Sequence, residues 1–214
     1  MRIEPLFRAL RGAGGWLVSQ LPEIVLQCIV LVISIVVALA VDQWTSERSD
    51  RELALQSLDS FELEIRQNQR RLEDSGPFRA GLREVLVRME ESGRLGTMDE
   101  FYSTVGLEAL RPPHLLDTAW QAALVTDALS RMDYATVSAL SLTYSRQDRY
   151  RSFSEEGLPA ALRPGGTPGA EAPAAIRSTI LYLSEAIEDE EELVVVYQQA
   201  LQRIEAARRR LGGT

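Results

Sequence analysis

The sequence predicts an all-α, membrane-anchored chain, and three observations carry that class. A long uncharged apolar run lies near the start, the rest has helical periodicity without strand alternation, and a heptad pattern fills the last stretch. The chain has 214 residues, enough for an anchor and one modest domain. Hydrophobic residues make up 45% and charged residues 25%, which argues against general disorder.

Residues 1–23 form a short N-terminal segment carrying Arg2, Arg8 and Arg11 against Glu4 and Glu23. Residues 24–41, IVLQCIVLVISIVVALAV, follow as the transmembrane helix, with only Gln27, Cys28 and Ser34 as polar interruptions. At 1.5 Å per residue the run is roughly 27 Å long, close to the ~30 Å hydrocarbon core of a bilayer. Trp16 and Trp44 bracket it as interfacial anchors. Gln27, Ser34 and Ala38 share one face, a small-residue stripe suited to membrane helix association. Signal-peptide cleavage at Ala38-Leu39-Ala40 is the competing reading. Against it, no glycine or proline interrupts residues 42–75, so the helix is expected to continue past the run. The upstream arginines favour a cytoplasmic N-terminus and an extracytoplasmic body in a bacterial inner membrane.

Residues 42–156 read as a helical bundle. Its first helix carries Leu55, Leu58, Phe61, Ile65 and Leu72, and Gly76-Pro77 is expected to stop it. A short helix through Leu82, Val85, Leu86 and Met89 follows, then one opened by Asp99. Asp117 or Thr118 caps a helix with Trp120 and Leu124, and Asp133 caps one with Val137, Leu140, Tyr144 and Phe153 inward. Residues 157–175 hold four prolines and four glycines and read as a linker. Residues 176–214 form a long C-terminal helix packing on the bundle. Its 4-3 seam runs through Ile176, Ile180, Leu183, Ile187, Glu190, Val194, Tyr197, Leu201, Ile204, Arg208 and Leu211, a coiled-coil pattern that serves packing within or between chains. An antiparallel pairing of this helix with the one at 42–75 is expected to set Arg208, Arg209 and Arg210 near lipid headgroups.

Composition narrows the chemistry. All 23 basic residues are arginine, so lysine-dependent mechanisms are excluded. His114 is the only histidine and Cys28 the only cysteine, which leaves no histidine-rich or thiolate metal site and no intrachain disulfide. The net charge of -8 offers no footprint for nucleic acid. The acidic run Glu188-Asp189-Glu190-Glu191-Glu192 fans around a helix and reads as a solvated face. No cofactor and no catalytic residue is indicated.

The segment IVVALAVDQWTSERSDRELALQSL resembles a group of uncharacterised bacterial single-pass membrane proteins, in Ala38-Leu39, Asp42, Trp44 and Glu47-Arg48. LLDTAWQAAL and MDYATVSALSLTY are similar to that group's second block. The resemblance implies an uncleaved anchor and a helical body, and brings no activity with it. The expected function is non-enzymatic: protein–protein association or scaffolding, with a homo-oligomer or another membrane protein as partner besides the lipid bilayer. A sensory or ligand-binding extracytoplasmic domain is the alternative, and an enzyme the third.

Overall fold

The computed structural model describes residues 4–93, 97–106, 110–163 and 171–212, with side chains from Val25 onward. Among the described residues the fold is all-α, without strands. The helices are α1 (Glu4–Glu91), α2 (Met98–Val105), α3 (Thr118–Val125), α4 (Tyr134–Ala161) and α5 (Glu171–Gly212), with a 3-10 turn at Ala128–Arg131. The chain divides into two compact units, Met1–Asp50 and Arg51–Thr214, and α1 contributes to both.

In the first unit α1 is one candidate membrane span. An 18-residue window has mean hydropathy 2.7, and none of it is buried. A helix satisfies its own backbone polar groups, which is what permits such a surface to face hydrocarbon. The hydroxyl groups in and just past the run do the same: Ser34 Oγ donates to the Val30 carbonyl and Thr45 Oγ1 to the Val41 carbonyl, both at 2.8 Å. Trp44 is exposed. Trp16 and residues 1–23 fall outside the described side chains.

The second unit is a three-helix bundle. Arg208 meets Asp59, Glu190 meets Arg79, Ser184 meets Arg83 and Arg177 meets Glu90, so α5 runs antiparallel to α1. Glu64 meets Tyr144 and Asn68 meets Gln147, so α4 runs parallel to α1. A parallel pair needs a crossover, and residues 92–133 supply it. There α2 buries Phe101 and Val105 against Leu82, Leu86, Ile176 and Leu183. The chain then returns along α1 in extended form through Arg111 to Asp117 before α3 begins.

All three bundle helices bury a 4-3 row. On α1 it runs through Ala54, Leu58, Phe61, Ile65, Asn68, Leu72, Ser75, Arg79, Leu82, Leu86 and Met89, with Ser75 and Met89 half-buried. On α4 it runs through Thr136, Leu140, Thr143, Gln147, Tyr150, Ser154, Gly157 and Ala161, with Gly157 half-buried. On α5 it runs through Ala172, Ile176, Thr179, Leu183, Ala186, Glu190, Leu193, Tyr197, Ala200, Ile204 and Ala207. A strict heptad keeps one stripe against its neighbours along the whole length.

Four expectations change. Gly76-Pro77 does not stop the first helix: α1 continues to Glu91. Pro77 lacks the N–H that would bond the Glu73 carbonyl, a cost of ~3 kcal/mol in a helix interior, and burial of Leu72, Leu82 and Leu86 on either side outweighs it. The 157–175 linker is shorter than its composition suggests, because α4 carries Pro159 inside its last turn and reaches Ala161, and α5 begins at Glu171. Residues 164–170 lie outside the described set. The α5 seam keeps Ile176, Leu183, Glu190, Tyr197 and Ile204, but its second row is Ala172, Thr179, Ala186, Leu193, Ala200 and Ala207. Ile180, Ile187, Val194 and Leu201 flank it half-buried. A helix between two partners buries the side facing the closer one deepest, and alanines permit the close approach to α4. Finally, Thr97 rather than Asp99 caps α2, its side chain accepting from the Glu100 N–H.

Candidate functional site

The core of the bundle holds polar side chains that the helices position at heptad sites. Arg79, buried like the leucines around it, lies between α4 and α5 and pairs with Glu190. Its Nη1 also donates to Tyr150 Oη at 2.8 Å, and its Nη2 to the Arg111 carbonyl at 2.9 Å. The Tyr150 hydroxyl in turn donates to Glu190. A buried ion pair is tolerable only when its remaining donors and acceptors are met, and here both backbone and phenol meet them. Burial pushes the Tyr150 phenol up to about 12, so it stays a donor at any ordinary pH. This layer separates the two hydrophobic clusters of the domain, with Leu72 and Leu193 on one side and Leu82 and Ala186 on the other.

A second polar layer grips the extended segment. Asn68 makes a peptide-like pair with Leu116: its Nδ2 donates to the carbonyl at 2.7 Å and its Oδ1 accepts from the N–H at 2.8 Å. Gln147 Nε2 donates to the same carbonyl at 2.8 Å, and its Oε1 accepts from Tyr197 Oη at 2.8 Å. One step along, Glu64 accepts from Tyr144 Oη at 2.7 Å and from the Ala119 N–H at 2.9 Å. Glu64 thereby caps α3 from a neighbouring helix, since Asp117 occupies the cap position without a side-chain bond. Burial raises the Tyr144 phenol, and the Glu64 carboxylate that it binds raises it further.

Asp117 is free for Arg151, at 3.2 Å. That bridge forms a common wall of two clefts. One, of about 350 Å³, is lined by Pro112, Pro113, His114, Leu115, Tyr150 and Glu155; the other, of about 250 Å³, by Trp120, Gln121, Tyr144, Ser145, Gln147 and Asp148. Trp120 stacks on Tyr144 with ring centroids 5.3 Å apart. His114 is exposed at the rim of the first cleft, and its carbonyl accepts from Arg71. Among the described residues no three His, Cys, Asp or Glu side chains converge as a metal site. Within the two layers the carboxylates of Glu64 and Glu190 accept from the phenols of Tyr144 and Tyr150.

On the candidate membrane span, Gln27, Ser34 and Ala38 line one groove together with Leu26, Val30, Leu31 and Ile35. The C-terminal arginines expected near headgroups also have partners inside the domain. Arg208 reaches Asp59 Oδ1 and Glu62 Oε2, each at 2.6 Å; Arg210 reaches Asp133 at 3.1 Å; Arg209 sits 3.8 Å from Glu205. The acidic run is also more than a solvated face: Glu190 is core, while Glu192 pairs with Arg146 and Asp189 with Arg149. The polar layers themselves were not anticipated. Their signal lay in the two charged residues within the rows, Glu190 on α5 and Arg79 on α1, which carry opposite charge. Comparison with protein-family profiles, curated proteins and solved structures finds no match to the chain.

Proposed function

We propose that the chain is a non-enzymatic, membrane-anchored helical protein that works by association, and that its membrane helix is the associating element. One observation supports this most: Gln27 lines the same groove as Ser34 and Ala38. An amide within hydrocarbon gains by bonding across to another helix, and small residues let that helix approach. The heptad rows of the bundle, by contrast, are occupied within the chain, which leaves the span as the association device. The partner is a second copy or another membrane protein. The location that fits the leading arginines and the resemblance is a bacterial inner membrane with the body outside the cytoplasm.

Energy transfer between donor- and acceptor-labelled full-length chains in vesicles tests this. Transfer should persist on dilution with lipid and fall for Gln27→Leu with Ala38→Ile. Equal transfer for variant and parent would refute the groove as the contact. A reporter active only outside the cytoplasm, fused after Thr214, should be active.

A second reading, a ligand-binding extracytoplasmic domain, draws on the paired clefts with their aromatic walls and Arg151. Its support would be a small molecule whose stabilisation of the full chain is lost in Arg151→Gln.

A further inference from the structure

Among the described residues, the two most exposed large apolar side chains outside the anchor are Val125 and Tyr134, each 87% exposed, above the 49–63% seen along the membrane helix itself. Val125 ends α3, and Tyr134 begins α4 after the cap Asp133. Leu124 beside them is also exposed. Contacts place all three at one end of the second unit. Trp120 of α3 packs on Phe61, Tyr144 of α4 reaches Glu64, and Arg210 at the end of α5 reaches Asp133. That is the end at which Arg51 begins the domain. Residue 51 follows Val41 by ten residues, a tether of at most about 35 Å whatever conformation it takes. The side chains of Arg209 and Arg210 at the same end remain 73% and 63% exposed.

An aliphatic tip, a tyrosine and arginines form the combination that partitions to the headgroup boundary of a bilayer, where a phenol buries its ring and keeps its hydroxyl wet. A tethered surface meets that boundary at high effective concentration, so weak contacts suffice. We infer that the α3–α4 junction, with Val125 and Tyr134 at its tip, docks on the lipid interface of the membrane that holds the anchor. The inference rests on the anchor reading. It needs no free arginine, because the apolar tip carries it.

The test uses full-length protein with Cys28→Ala and one new cysteine, Val125→Cys, Tyr134→Cys or Leu181→Cys, carrying an environment-sensitive fluorophore in vesicles with nitroxide-labelled headgroups. Leu181, exposed on α5 near the opposite end, is the control. Labels at 125 and 134 should emit to the blue, be quenched by the nitroxide and resist aqueous iodide, while the label at 181 does the reverse. Iodide quenching of all three alike would overturn the inference, as would protection at 125 and 134 without nitroxide quenching, which marks a protein partner. Flotation of the same vesicles reports the anchor separately. Protein that floats while its 125 label stays open to iodide refutes the docking alone, and protein that does not float refutes the anchor as well.

Discussion

Arg79 and Glu190 are worth little as a pair and much as a debt if one is removed. Replacing one member of a buried ion pair strands the other, at ~3–5 kcal/mol, whereas replacing both with apolar residues of like volume is often near neutral. Arg79→Met should therefore lower the unfolding midpoint strongly, and Arg79→Met with Glu190→Leu should restore most of it. Denaturation followed by circular dichroism in micelles measures both; a double variant no better than the single one would refute the account. Arg208 works at the surface and behaves differently. Its hydrogen bond, followed by that of Arg66, holds the Glu62 carboxyl below its ordinary value of 4.5. A carboxyl depressed in the folded state stabilises at neutral pH, and that contribution disappears as pH falls through the depressed value. Arg208→Gln should thus be less stable than the parent at pH 7, and the difference should close on acidification below 4.5. A gap that is constant with pH would show that the arginine acts through packing of its stem instead.

At the scale of the helix, glycine substitutions separate packing from propensity. Gly81 has nothing within 4 Å of a built Cβ, so Gly81→Ala should gain about 0.5–1 kcal/mol by helix propensity alone. Gly157 lies under the Tyr182 ring, whose Cδ2 and Cε2 would stand 3.1 and 3.3 Å from that Cβ. Overpacking costs ~1–3 kcal/mol, so Gly157→Ala should destabilise despite its better propensity. The paired midpoints, one up and one down, are the check. The same contrast explains what was legible in the sequence. The α5 heptad stood out because Ile176, Leu183, Tyr197 and Ile204 are large and apolar. The α4 row was hidden, since Thr143, Gln147, Ser154 and Gly157 read as surface until Asn68, Tyr197 and Tyr182 are seen against them. On α1, Pro77 masked a row that continues unbroken because tertiary packing outweighs one missing backbone bond. Asp133 announced its helix correctly, its carboxylate accepting from the Thr136 N–H at 3.0 Å. Of the two expected caps, Asp117 holds the position but not the role, because the group that caps α3, Glu64, is distant in sequence.

For the whole molecule, the apolar run and the helical body were readable because both are properties of contiguous sequence. The clefts beside Arg151 were not, since an extended segment, α3 and α4 build them together. The antiparallel pairing of α1 and α5 has a consequence in time. Asp59 and Arg208 are separated by 149 positions. At ~5–20 residues per second of synthesis, the wait between their emergence from the ribosome is on the order of 7–30 s. For 111 of those positions Arg79 has no Glu190, and the apolar rows of α1 and α4 lack their third wall. α5, made after the other bundle helices, is therefore the one that closes the domain. A nascent chain halted before residue 171 should be rapidly degraded by protease, and one halted after 212 should resist it. Pulse-labelled arrested chains would show whether protection arrives in one late step, or earlier, as two helices alone would allow.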